Sequence, residues 1–367
     1  MKVALTAQVF DESFGGLERW TTDFARFLAG RGHDVHVVAD DGLDVPGISL
    51  HRTGPHRTDW GRAWAQARVL RGLRAVTHDT GLGWSGDVFQ PQTGSRLGSL
   101  DREIATHSRL RQAKAAISPR TQSRRAMMAL LERAQRRRAR VVIAVSDRVR
   151  SLLIGQGVES GRIRIVRNGT DPARFTAAAL DPLREAARRY WGVRPGQTLF
   201  VSVAHNLLLK GLDSTLRALA RLRAEGSSAR LVVAGGLPEP AMLALAGEHV
   251  TFAGFCPDIA PLFAAADAFI HPSRWDACSV STLEALASRL PVVTTAWDGA
   301  SDRVREDCGV VLPNPEDVTA LTDAMRRLDD AGHRAQMAAA LCRDPPDVQQ
   351  DFGAIERILA EIDQYAS

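Results

Sequence analysis

Residues 198–236 read TLFVSVAHNLLLKGLDSTLRALARLRAEGSSARLVVAGG. A short apolar run ends at Ala204, a helical pattern begins after Gly211, and a second apolar run follows at 230–236, so the stretch reads as strand, helix, strand. The same rhythm continues with VTFAG (250–254), DAFIHPS (267–273), PVVTTA (291–296) and GVVLP (309–313). Upstream it is repeated by MKVALTA, a helical pattern from Leu17 to Gly30, DVHVVAD, ISLHR, DVFQ (87–90), a long arginine-rich helical stretch, ARVVIAVS ending at Ser146, and RIRIV (162–166). Apolar strands that alternate with helices predict parallel sheets covered on both faces, hence an α/β chain of two doubly wound Rossmann-like domains facing a cleft. Turn residues and prolines between Asn168 and Arg194 mark the boundary. The expected organisation is 1–175, 176–345, and a C-terminal helix over 346–367 that packs back towards the first domain.

The composition agrees. A length of 367 residues suits two domains, and 45% apolar with 24% charged residues is that of an ordinary globular protein, excluding wholesale disorder, collagen-like repeats and coiled coil. The net charge of +5 is mildly basic. Cys256, Cys278, Cys308 and Cys342 form no C-x-x-C pair and predict neither a disulfide framework nor a zinc site, which points to a reducing cytoplasm. The N-terminus turns polar within ten residues and no run reaches membrane-spanning length, so neither export nor a transmembrane helix is expected.

Chemistry concentrates in HPSRWDACSVSTLEALASRLPVV (271–293), which reads as a strand end, a polar loop and a helix. Asp276 in the loop and Glu284 in the helix place two carboxylates where they can face one ligand. Between them, Ser279, Val280, Ser281 and Thr282 open the helix, whose unpaired N–H groups and partial positive charge suit a phosphate. Taken alone, this is equally a serine-capped helix with an exposed glutamate. Lys210 tips the balance. The chain has 44 arginines and 3 lysines, and one of those lysines stands at a strand-to-helix turn, where a compact ammonium can neutralise a diphosphate. No G-x-x-x-x-G-K-[ST] motif occurs, so a P-loop ATPase is not indicated.

These segments resemble the retaining glycosyltransferases of family four, which have the GT-B fold. The resemblance rests on FGGLERW (14–20), VSDRVRSLL (145–153), RIRIVRNGTDPARF (162–175), Lys210-Gly211, AGG (234–236), VTFAGF (250–255), AADAFIHPS (265–273), the Asp276/Glu284 pair, LPVVTTAWDG (290–299) and CGVVL (308–312). The form W-D-x-C-S-x-x-T-L-E-A is most similar to the core glucosyltransferases of lipopolysaccharide assembly. The resemblance implies transfer of a hexose, glucose first, from a nucleotide sugar, UDP first, to a saccharide or lipid-linked saccharide acceptor, without a metal or other cofactor. It implies that Lys210 binds the donor diphosphate, Glu284 the ribose, and Asp276 the transferred sugar. It further implies that the amides of Val280 to Thr282 meet phosphate, that Gly15 and Gly16 let the first domain approach the diphosphate, and that Gly254 and Phe255 lie near the base. His205 and Gly211 complete the implied donor set.

The chain also departs from the family. His205 and Leu208 stand where relatives carry arginine, Asp276 replaces a glutamate, and Arg289 replaces a glycine, costing about 1 kcal/mol if its backbone is left-handed. Gln92 is the nearest residue to an acceptor-side histidine and is no base. Two further readings stay open: a nucleotide-sugar epimerase on the same fold, and a catalytically impaired nucleotide-sugar binder. Of the other histidines, His33 and His36 sit around a turn and a strand start, and His51, His56, His78, His107, His249 and His333 read as surface or turn residues, without metal spacing.

Residues 101–140 hold twelve basic groups against three acids. With Leu110, Ile117, Met127, Met128, Leu130 and Leu131 interspersed, parts of this belt read as basic amphipathic helix. Arg124, Arg125, Arg136, Arg137 and Arg138 are candidates for docking on an anionic membrane surface, against a solvated helix face as the plain alternative. Aromatic residues for base stacking are missing from the stretch, so nucleic acid is not the expected partner. The expected location is the cytoplasm, peripheral to the inner face of the membrane.

Overall fold

The computed structural model describes residues 1–84, 86–340 and 347–364. Cys342 lies outside them. The chain divides into two compact units, Met1–Asn168 with Gln349–Ser367, and Gly169–Val348.

The first unit contains β1 (Lys2–Thr6), β2 (Val9–Phe10), β3 (Asp34–Ala39), β4 (Asp41–Gly42), β5 (Ile48–Arg52), β6 (Val76–Asp79), β7 (Val88–Phe89), β8 (Val141–Ala144) and β9 (Ile163–Ile165). Its helices are α1 (Gly16–Gly30), α2 (Asp59–Leu73), α3 (Arg96–Ala105), α4 (Arg109–Ile117), α5 (Pro119–Arg138) and α6 (Asp147–Gly155). Seven strands form one parallel sheet in the order β5-β3-β1-β6-β7-β8-β9.

Sequence periodicity missed β6, a central strand. Its residues Val76, Thr77, His78 and Asp79 are all buried, yet three are polar, so no apolar run announces it. Apart from His78 Nδ1, which is buried with no partner among the described residues, the polar groups are satisfied locally. Thr77 donates its hydroxyl to Asp87 at 2.7 Å, and Asp79 Oδ1 accepts the N–H groups of Gly81, Leu82 and Gly83 at 2.8–2.9 Å. His78, expected on the surface, is fully buried, and His36 is nearly so. Burial pushes the His78 imidazole down to about 4, against a hydrogen bond to Gln90 that works the other way.

The neutral imidazole therefore stabilises the fold fully above the unfolded value of 6.5, and that contribution is lost as pH falls towards 4, by ~3 kcal/mol. Thermal unfolding between pH 7 and pH 4.5 should show this loss. His78→Gln should flatten the slope; an unchanged slope would assign the acid sensitivity elsewhere.

The second unit contains β10 (Leu199–Ala204), β11 (Arg230–Gly235), β12 (Val250–Gly254), β13 (Ala268–Ile270), β14 (Val292–Thr295) and β15 (Gly309–Leu312). Its helices are α7 (Pro172–Phe175), α8 (Ala177–Leu180), α9 (Arg184–Tyr190), α10 (Leu212–Ala224), α11 (Pro240–Ala246), α12 (Ala260–Ala265), α13 (Val280–Ala287), α14 (Val318–Asp329) and α15 (Ala331–Ala340). The sheet is parallel in the order β12-β11-β10-β13-β14-β15. Successive strand residues feed opposite faces: Phe200 and Ile270 join the core beneath α10 and α14, while Leu199, Val201 and Phe269 join the one beneath α12 and α13.

The division at Asn168 falls earlier than the expected 175/176. Phe175 is the reason, since its ring is buried against Phe263 in the second unit's core, drawing α7 there. The last helix, α16 (Val348–Gln364), is counted with the first unit. Phe352 packs on Trp20 and Phe24 with ring centroids 5.6 and 5.1 Å apart, and Glu356 accepts hydrogen bonds from Arg31 and His33 at 2.8 and 2.7 Å.

Candidate active site

In the second sheet, β10 sends the chain one way to β11 and β12, and β13 sends it the other way to β14 and β15. The carboxyl ends of β10 and β13 therefore flank the switch point, where open α/β sheets bind ligands. Lys210 lies in the loop after β10, and Asp276 in the loop after β13.

Backbone and side chain lock these two loops together. Arg274 N donates to the Leu209 carbonyl at 2.8 Å. Gly211 has φ +73°, and a Cβ there would lie 2.1 Å from the Pro272 carbonyl oxygen, so only glycine permits the approach. Arg274 does not supply the cation missing at His205 and Leu208. Its guanidinium turns inward to Asp213 at 2.6 Å and Glu316 at 2.5 Å, and also donates to the Leu208 carbonyl. Leu208 itself packs on the core.

Lys210 Nζ sits 2.5 Å from Asp276 Oδ2 and donates to the Trp275 carbonyl at 3.1 Å. Two of its three N–H groups are thus engaged, and one remains for an incoming oxyanion. The buried His271 ring lies 3.7 Å from Asp276 Oδ2. Burial alone would raise the Asp276 carboxyl, but Lys210 and His271 outweigh it and hold the group below the usual carboxylate range. Asp298 goes the other way, raised first by burial and then by the charge of Asp276. Two neighbouring carboxyls are thereby pushed apart, as in sites that need one ionised and one reluctant acid.

Asp298 was not singled out from the sequence, where only a W-D-G turn marks it, yet it builds the helix terminus. Its Oδ1 accepts the Ser279 and Ala300 amides at 3.1 and 2.9 Å, and its Oδ2 accepts the Thr282 hydroxyl at 2.8 Å. Ser279 Oγ in turn caps α13 by accepting the Thr282 amide at 3.2 Å. This corrects the expected phosphate contacts: Ser279 and Thr282 are buried and spent on the cap. Val280 and Ser281 remain half-buried, with first-turn amides that have no intrahelical acceptor. Glu284 lies three and four residues further on, on the same face of α13, while Leu283 and Leu286 face the core.

Other expected donor residues line the same sheet edge. Gly254 (φ +67°) ends β12, and Phe255 follows with 64% of its surface exposed. His205 is exposed, and its carbonyl would lie 2.1 Å from a Cβ on Gly236. Arg289 has φ +60°, the left-handed conformation that its glycine-like position implied.

In the first unit, Gly15 caps α1 with extended backbone. A Cβ there would meet only the flexible end of Glu18, and one on Gly16 meets nothing within 4 Å. Neither glycine is demanded by backbone packing: at Gly15 only the Glu18 carboxylate, 2.9 Å from the added atom, would have to shift, and Gly16 has open space beside it. Gln92 Oε1 accepts from Asn168 at 3.2 Å, and its Nε2 is buried with no partner among the described residues. Of the five candidate docking arginines, Arg124, Arg137 and Arg138 are exposed. Arg125 is 3.3 Å from Asp101, Arg138 lies over the Trp84 ring at 5.2 Å, and Arg136 is half-buried against Glu132 at 3.3 Å, so Arg136 is a packing residue rather than a free surface charge. No group of metal-ligating side chains occurs among the described residues.

Two parallel-sheet units with this switch-point site define the GT-B class, and the solved structures agree. The chain shares its fold with the crystal structure of WaaG, a glycosyltransferase involved in lipopolysaccharide biosynthesis (TM-score 0.79, 24% identity, 96% of this chain and 99% of that one). It shares it also with Anabaena Alr3699/HepE in complex with UDP and glucose (TM-score 0.68, 20% identity, 98% and 99%). Residues 196–330 match the family model described as Glycosyl transferases group 1, and residues 104–174 the one described as Glycosyltransferase Family 4. The resemblance to the family-four glycosyltransferases thus holds in both units, and the chain is a relative of that family.

Among curated proteins it is 29% identical to lipopolysaccharide glucosyltransferase WaaG of Escherichia coli (strain K12), over 46% of this chain and 47% of that one. It is 31% identical to a GDP-mannose-dependent alpha-(1-6)-phosphatidylinositol dimannoside mannosyltransferase of Mycobacterium tuberculosis, over 46% of each. The matched region spans about half the length of these relatives.

Proposed function

We propose that the protein transfers a hexose from a nucleoside diphosphate sugar to a saccharide acceptor with retained configuration. The observation that carries this reading is the convergence of Lys210, Asp276 and the open first-turn amides of α13 at the switch point of the second sheet. The leaving diphosphate gains negative charge as the sugar's anomeric C–O bond breaks, and Lys210 with the Val280 and Ser281 amides meets that charge without reorganising. Glu284 takes the ribose hydroxyls and Asp276 a hydroxyl of the sugar. The acceptor oxygen bonds to the anomeric carbon on the face the diphosphate leaves, and a phosphate oxygen takes its proton, so Gln92 need not act as a base.

UDP-glucose is the first donor to try, since the named relatives include a glucosyltransferase and a UDP and glucose complex. Synthesis of lipopolysaccharide core or another cell-surface glycan is the proposed setting. One cation where relatives have more favours a second reading, a nucleotide-sugar binder with impaired catalysis, which would bind UDP-glucose without consuming it. Glu284→Ala decides: kcat/KM for the donor should fall about 10- to 100-fold, the loss of ~1.5–3 kcal/mol expected for hydrogen bonds to a charged group, with unchanged circular dichroism. An unaffected rate would overturn the assignment.

Peripheral docking on the cytoplasmic membrane face belongs to the same proposal. None of the residues of α4 is buried, and Leu110 and Ile117, seven apart on one face, are 77% and 81% exposed beside Arg109, Arg111 and Lys114. No described helix is long and apolar enough to cross a membrane. Leu110→Ser with Ile117→Ser should reduce flotation with phosphatidylglycerol vesicles at least fivefold; undiminished flotation would dismiss the docking role.

A further inference from the structure

A cavity of about 400 Å³ opens in the first unit between the start of α2 and the first turns of α5, within the size range of small-molecule sites. The first turn of α2 forms one wall and the first three turns of α5 the other. Arg57, Arg120 and Arg124 line it, and none has a carboxylate partner among the described residues. The one acid in the wall, Asp59, is already held by Arg62 at 2.9 Å and Arg96 at 2.6 Å, which keep its carboxyl low against the effect of burial. The cavity therefore presents three uncompensated guanidiniums whose planar donors suit phosphate oxygens.

The wall also carries an aromatic. Trp60 is 37% exposed and stands edge-on to Trp84 with ring centroids 4.5 Å apart, while Arg138 covers the Trp84 ring. A half-exposed indole held by its neighbours offers a rigid apolar face with little entropy left to lose, the kind of surface on which the C–H face of a sugar ring packs. We infer that this cavity binds a phosphate-bearing saccharide, its phosphate on Arg57, Arg120 and Arg124 and its ring on Trp60. An anionic lipid headgroup shares the phosphate, but the exposed apolar residues that would enter a bilayer, Leu110 and Ile117, do not line this cavity. Calling the ligand the acceptor rests on the glycosyl-transfer reading above; the binding itself does not.

Calorimetry on the full chain with glucose 6-phosphate, glucose and inorganic phosphate tests the site. Glucose 6-phosphate should bind at least tenfold more tightly than glucose. Arg57→Ser with Arg124→Ser should weaken it at least tenfold, and these unpaired surface residues are not needed for folding, which an unchanged Tm verifies. Trp60→Ala should weaken glucose 6-phosphate but leave inorganic phosphate alone. Equal binding of glucose and its phosphate, or an unaltered double variant, would overturn the site. Displacement of glucose 6-phosphate by phosphatidylglycerol vesicles, but not by uncharged phosphatidylcholine vesicles, would assign it to lipid and overturn the saccharide. UDP binding, measured in parallel, keeps the two readings separate: UDP bound with the sugar phosphate ignored sinks only this inference, and the reverse sinks only the donor site.

Discussion

Lys210→Ala should lower kcat for sugar transfer by about 10²–10³, the effect of removing one preorganised group from a developing oxyanion, ~3–4 kcal/mol. It should also reduce stability, because Asp276 loses the partner that sits 2.5 Å away and keeps only the His271 ring, 3.7 Å from its Oδ2, beside it. Breaking a fully buried ion pair from one side costs roughly 3–5 kcal/mol, and the two side chains here are 19% and 18% exposed, so a smaller loss, about 1–3 kcal/mol, is expected. The two effects separate in a double variant. Lys210→Ala with Asp276→Asn removes both charges and should regain most of the lost Tm, yet transfer should stay down. Lys210→Arg should restore little, because a planar fork does not fit where a compact ammonium reaches both Asp276 and the Trp275 carbonyl. Activity that followed stability through this series would make the lysine a structural residue only.

Gly211→Ala is expected to cost the second unit much of its stability. The backbone there is left-handed, which costs an alanine roughly 1–2 kcal/mol. The new Cβ also meets a backbone carbonyl at 2.1 Å, which no rotamer change relieves. Either α10 or the loop carrying Asp276 must move, so the loss should exceed about 4 kcal/mol, and Tm should fall by ~10 °C or more. Gly254→Ala is the control. Its φ is +67° but nothing lies within 4 Å of the added atom, so only the same conformational cost of roughly 1–2 kcal/mol remains. Equal losses at both positions would show that the loop contact between Gly211 and Pro272 does not matter.

Both predictions concern residues visible in the sequence, one as a rare lysine and one as its neighbour, but the reason for each came from three dimensions. The strand rhythm was readable wherever strands are apolar, and it failed at β6, whose His78 and Asp79 are buried because the loop at 81–83 and Gln90 supply their partners. Ser279 and Thr282 were readable as the start of a helix. That they are consumed by its cap, leaving Val280 and Ser281 open, depends on Asp298, nineteen and sixteen residues further along. The cavity beside Trp60 had no signal at all, since its arginines come from a loop and a helix some sixty residues apart.

Local order along the chain was enough to determine that this protein has two Rossmann-like units, where their apolar strands end, and that a lysine stands in one loop and a carboxylate in another. Those properties follow from periodicity and turn chemistry, which act over a few residues. Only the tertiary structure decided which charges are free. Arg274 is spent on Asp213 and Glu316, sixty-one and forty-two positions away, and Arg136 on packing, while Arg57, Arg120 and Arg124 have no carboxylate partner among the described residues around their cavity. Pairing depends on distance through space, and a charge count taken along the chain carries no such distance.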